Sequence, residues 1–103
     1  MPIDGYPTTE ELEKVVSWPH TDPWGLVDYL KNIWWYPERQ IRTGPAWVEL
    51  STAGWSGNED IIEALKKNGF WFLYWEKSER GGHYRFEGLP KREVMRKKEG
   101  GTI

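Results

Sequence analysis

The pair Gly81-Gly82 lies between two runs dense in aromatic residues, Phe70 to Lys77 and His83 to Glu87. Adjacent glycines supply the positive φ angles of a tight hairpin without steric cost, so the two runs are expected to fold back on each other as antiparallel strands. A two-residue turn pairs Ser78 with Arg85. It places Trp71, Leu73, Trp75, Tyr84 and Phe86 on one face, against Phe70, Phe72, Tyr74, Glu76, His83, Arg85 and Glu87 on the other. A three-residue turn would swap these assignments for the returning strand. The first face is nearly all apolar and should take the helices; the second mixes rings with charges.

The rest of the chain is punctuated by start and stop signals. Thr8-Thr9-Glu10-Glu11 has the form of a capping box, and Leu12, Val15 and Val16 follow at helical spacing, which predicts a short helix over about 9 to 16. Asp22-Pro23 is a second start, and Leu26, Val27, Leu30, Ile33 and Trp34 continue the pattern until Pro37. Residues 37 to 46 read as a loop. Trp47 to Thr52 alternates as a first strand. Ile61, Ile62 and Leu65 share a helical face that ends at Asn68-Gly69, read as a C-cap.

The order helix, helix, strand, helix, strand, strand predicts an α+β fold. Its sheet is small, three-stranded and mainly antiparallel, a split β-α-β unit in the order 1-3-2 rather than 1-2-3, packed with about three helices. Residues 1–88 form the single domain, and 89–103 form a basic tail expected to be mobile beyond a short helix.

The apolar volume of this 103-residue chain sits in rings: eight Trp, five Tyr and three Phe. One small core cannot enclose eight indoles, so some are expected at a ligand site or a subunit interface, and the chain is expected to be a homo-oligomer. There is no Cys, which excludes disulfides and thiolate metal sites. The N-terminus lacks the blocks of a signal peptide and the longest apolar run, Phe70 to Trp75, is six residues. A soluble intracellular protein with no membrane contact is the expectation. Residues 1 to 88 carry nine Lys and Arg against fourteen Asp and Glu, and residues 89 to 103 carry five against two. An acidic body makes nucleic acid an unlikely partner.

Two stretches look like sites. In Gly54-Trp55-Ser56-Gly57-Asn58-Glu59-Asp60, the spacing from Ser56 to Glu59 predicts a capping box with Ser56 as N-cap. Trp55 and Asn58 are left over, free to hold an anionic or amide-bearing ligand at a helix N-terminus. In Ser78-Glu79-Arg80-Gly81-Gly82-His83-Tyr84, Arg80 and His83 flank the turn and Arg85 follows, three cation-capable groups for a phosphate or carboxylate. Trp55, Asn58, Arg80, His83 and Arg85 are therefore the candidate ligand-binding residues, with Trp55, Arg80, His83 and Arg85 expected around one recess. Trp34 and Trp35 point about 100° apart on a helix, so one belongs to the core and the other covers the sheet edge or stacks on a base or partner. His20 and His83 have no metal-ligand spacing, and no catalytic motif is present, so no metal, cofactor or enzymatic activity is expected.

The segments "ELSTAGWSGNEDIIEAL", "FWFLYWEKSERGGHYRFE" and "DPWGLVDYLKNIWWYP" resemble a family of small Trp-rich proteins encoded by bacteriophages and prophages. The resemblance covers residues 22 to 88 and implies a phage origin and the host cytoplasm; it brings no catalytic residues. The leading expectation is an accessory protein that sequesters a nucleotide-like anionic ligand and so counters host defence signalling, with rings for the base and cations for the phosphate. The alternatives are a protein-binding inhibitor that docks its aromatic surface on a host enzyme, and an enzyme acting on a nucleotide with His83 as acid or base.

Overall fold

The computed structural model describes residues 6–91. Most of the basic tail falls outside the described residues. Helix α1, Thr9–Ser17, opens on the expected capping box: the Thr8 hydroxyl accepts from Glu11 N at 3.1 Å and the Glu11 carboxylate accepts from Thr8 N at 2.8 Å. Helix α2, Pro23–Ile33, is capped by the Asp22 carboxylate on Gly25 N. It stops short of the expected end at Pro37. The chain leaves the helix at Trp34, which is extended with ψ 141°, and Tyr36, before Pro37, takes a left-handed conformation with φ 58°.

Residues 37 to 46 are not a plain loop. Pro37–Gln40 forms a one-turn helix α3 and Ile41–Thr43 a short strand β1. Proline is a good first helical residue as well as a helix stop, and three residues are too few to show strand alternation. Strand β2, Trp47–Ser51, follows as expected. Helix α4, Ser56–Leu65, has Trp55 as its N-cap and no side-chain cap. The expected capping box at Ser56 is therefore absent: Ser56 is the first helical residue, and its hydroxyl bonds Tyr6 Oη at 3.0 Å.

Asn68 and Gly69 begin a helix rather than end one. Asn68 Oδ1 accepts from Phe70 N at 2.7 Å, and its amide donates to Val15 O at 2.8 Å and Trp18 O at 2.9 Å. Helix α5, Gly69–Tyr74, takes the first half of the run read as a strand; only Trp75–Glu79 is strand β3, and His83–Glu87 is strand β4. Helical spacing turns Phe70 fully into the core and leaves Phe72 93% exposed.

The sheet order is β1-β2-β4-β3 with every neighbour antiparallel. The three expected strands lie in the 1-3-2 order, and β1 adds a fourth beside β2. Glu79 pairs with His83, so the turn has three residues, Arg80, Gly81 and Gly82, rather than the two that would pair Ser78 with Arg85. Both glycines have positive φ. The faces of β4 are nevertheless those of the two-residue reading: Phe86 is buried, while His83 and Arg85 lie over the sheet's opposite face. A register shift at Glu76 distinguishes β3 from a regular strand.

The core joins Val15, Leu26, Leu30 and Ile61 of the helices to Val48, Leu50 and Phe86 of the sheet. It extends past Gly88: Leu89 is 3% exposed and donates its N–H to Ala46 O, and the Trp24 indole donates to Pro90 O at 2.6 Å. Of the eight Trp only Trp34 is fully buried.

Candidate functional site

Four rings form a ladder across the ends of two loops. Trp35 stacks on Trp55 with centroids 4.4 Å apart, Tyr6 meets the Trp55 ring at 5.2 Å, and Tyr36 meets Trp35 edge-on at 4.6 Å. The outer rungs reach solvent, Tyr6 at 41% and Tyr36 at 52% exposure. Trp34 is the core member of its pair, and Trp35 stacks on a ring of its own chain.

The ladder is held from beneath by Asn58, which is completely buried. Its Oδ1 accepts from Trp35 N at 2.9 Å, and its Nδ2 donates to Trp35 O at 3.3 Å and Thr52 O at 3.4 Å. One side chain thus fastens the loop carrying Trp35 and Tyr36 to the loop leading to Trp55. Among the described residues the non-glycine positions with positive φ are Tyr36 and Ala53, one in each of these loops. Left-handed conformation costs a side-chain-bearing residue about 1–2 kcal/mol. The backbone is strained at the two places that present these rings. Trp55 and Asn58 thus have distinct parts, one a rung and the other its anchor, while Tyr6, Trp35 and Tyr36 complete the ladder. Tandem Trp-Trp-Tyr before a proline was the sequence signal for Trp35 and Tyr36; Tyr6 had none.

His83 and Arg85 belong elsewhere. They line an open recess of about 340 Å³ on the sheet's outer face, with Arg39 and Gln40 of α3, Arg42, Glu49, Ser51, Lys77 and Glu79. Trp55, Asn58 and Arg80 do not line it. Arg80 sits exposed on the hairpin turn with no side-chain partner among the described residues.

The cations of the recess are largely paired. Arg85 contacts Glu49 at 2.5 Å, Glu76 at 3.5 Å and Glu87, and lies over the Trp47 ring at 4.7 Å. Arg42 holds the other oxygen of Glu49 at 2.8 Å. The Arg42 hydrogen bond, with Arg85 adding to it against partial burial, keeps the Glu49 carboxyl below the usual carboxylate range. Glu87 and Glu49 in turn raise the Arg85 guanidinium. Lys77 pairs with Glu79 at 3.3 Å, and Arg39 has no side-chain partner among the described residues.

Ser51, His83 and Glu79 stand in a row across β2, β4 and β3. No hydrogen bond joins them among the described residues, and Glu79 is 58% exposed. The row lacks the oriented base that activates a nucleophile. No group of His, Asp or Glu among the described residues is placed to hold a metal ion, and none of their helices is long and apolar enough to cross a membrane.

Fold and surface together define a small α+β protein with a strained aromatic ladder at one place and an ion-paired recess at another. No protein-family model matches the chain, and no curated protein or solved structure is detectably similar to it.

Proposed function

We propose that this chain is a non-enzymatic binding protein that takes a protein partner on its aromatic ladder, acting as a phage-type inhibitor of a host enzyme. The carrying observation is the coincidence of ring exposure with backbone strain: Tyr36 is half exposed at φ 58°. Strain of this kind persists where the surroundings hold a residue for a purpose other than stability. Trp and Tyr are also the side chains that dominate protein-binding hot spots. Glu38, Glu59 and Asp60 are exposed and close to the rings in sequence, so the partner surface should be apolar with Lys or Arg at its rim.

The test is partner retention. The tagged chain, purified from a phage-infected host and examined by native mass spectrometry, should hold a host protein, and Tyr36→Gly should release it. That substitution removes a ring contact of about 0.5–1.5 kcal/mol while relieving about 1–2 kcal/mol of left-handed strain, so melting should change little. Retention unaffected by Tyr36→Gly and Trp55→Ala would remove the ladder from the interface.

A second reading keeps the nucleotide-like ligand and places it in the recess, where His83, Arg39 and Lys77 surround about 340 Å³. Its support is Arg39, which has no side-chain partner among the described residues; its weakness is the carboxylates already on Arg85. A retained small anion in the same experiment, lost with Arg39→Ala, would put this reading first.

A further inference from the structure

We propose that the free edge of β3 is a self-pairing interface, on which two copies join antiparallel with Glu76 of each opposite Lys77 of the other. Among the described residues strand β3 ends the sheet, and all five of its residues are exposed. At the opposite end β1 has three residues. Beside the start of β3 lie the large apolar side chains Phe72, Leu73 and Trp75, at 93%, 54% and 46% exposure. An uncovered edge strand next to such a patch invites a further strand.

The irregularity of β3 selects which strand. Trp75 pairs with Phe86 and Ser78 with Tyr84, so both belong to the helix-facing side, where the Trp75 indole donates to Ser78 Oγ at 2.9 Å. Lys77 pairs with Arg85, and Glu76 reaches Arg85 at 3.5 Å, which puts both on the outer side. Read from 75 to 78, the faces run inner, outer, outer, inner. That pattern is the same in both directions, because the bulge inserts one extra outer residue.

Across a two-fold axis perpendicular to the sheet, directly opposed residues must share a face. A regular strand satisfies this only when a residue opposes its own copy, which here would set Lys77 against Lys77 or Glu76 against Glu76. The bulge permits the register centred between them, Trp75 opposite Ser78 and Glu76 opposite Lys77, so that the two central charges of each strand meet their opposites. A bulge and a lysine ordinarily discourage chance pairing at an edge. Here they restrict it to a strand with the same irregularity, which a second copy carries.

Antiparallel pairing also brings the C-terminal end of one β3 beside the N-terminal end of the other. Arg80, which has no side-chain partner among the described residues, is thereby directed toward Phe72 and Leu73 of the mate, where its guanidinium can lie on the Phe72 ring. One arrangement accounts for the exposed ring, the turn cation and the bulge.

Sedimentation equilibrium of the full chain should show a dimer at micromolar concentration. Lys77→Glu and Glu76→Lys should each weaken it by about tenfold or more, through opposed like charges. The double variant carrying both should regain wild-type association. Phe72→Ser should weaken the dimer, and Tyr36→Gly should not, which separates this surface from the ladder. Far-ultraviolet circular dichroism should be unchanged throughout, since every substituted side chain is exposed. A monomer at all concentrations, a dimer indifferent to the single charge reversals, or a double variant that stays apart would each overturn the proposal.

Discussion

Asn58 and Ser56 sit two residues apart and reverse the roles their local pattern implies. A capping box is the commonest meaning of Ser-x-x-Glu before an apolar helix. Here the left-handed residues Ala53 and Gly54 bring the chain into the helix one residue early, leaving Ser56 with a single bond to Tyr6. Ser56→Ala should therefore change stability by no more than about 0.5 kcal/mol. Asn58→Ala should cost about 2–3 kcal/mol, because it strands the Trp35 N–H and C=O. Denaturant titration of the two variants checks both; a larger loss at Ser56 than at Asn58 would restore the capping account. The Thr8 and Asp22 caps were legible because each needs only residues within one turn. The task of Asn58 was not, since its partners lie at Trp35 and Thr52, and Thr52 reaches it only by way of a left-handed turn.

At the scale of elements, the hairpin was the most legible feature and the aromatic run before it the least. A six-residue apolar run has no periodicity that separates strand from helix. What decides is tertiary: Asn68 captures carbonyls at the end of α1, and a helical turn then delivers Phe70 to Phe86 at 5.1 Å between centroids. Strand β1 carried no signal, being three residues long and completed by its pairing with β2. The two turn glycines should differ sharply. A methyl group on Gly81, at φ 90°, would meet the His83 ring at 3.6 Å, an ordinary contact, whereas one on Gly82, at φ 82°, would strike the Thr52 hydroxyl that accepts from Gly54 N. Gly81→Ala should cost about 1–2 kcal/mol from backbone strain alone. Gly82→Ala should cost at least about 1 kcal/mol more, as that hydrogen bond is lost. Equal melting temperatures for the two would show that Thr52 turns aside freely.

For the whole molecule, the decisive question is where the packed body ends. Composition points to Gly88, because the segment beyond is basic and lacks an apolar stripe. The structure carries the fold further, since Leu89 fills a place beside the core and Pro90 supplies the carbonyl that satisfies the Trp24 indole. A lone leucine ahead of a proline has no periodicity to announce it; its burial depends on Ala46, at the far edge of the β1–β2 turn. A chain ending at Lys91 keeps both contacts, and one ending at Gly88 loses both. Burying a leucine contributes about 1.5–3 kcal/mol, and the indole hydrogen bond contributes about 1 kcal/mol. The shorter chain should be weaker by about 2.5–4 kcal/mol, and in a domain of this size its midpoint should fall about 10 °C or more below that of the longer one. Thermal melts of the two truncations, run at equal concentration so that self-association does not differ between them, measure this directly. Coincident midpoints would mean that Leu89 and Pro90 rest on the body without stabilising it, and that the domain ends at Gly88.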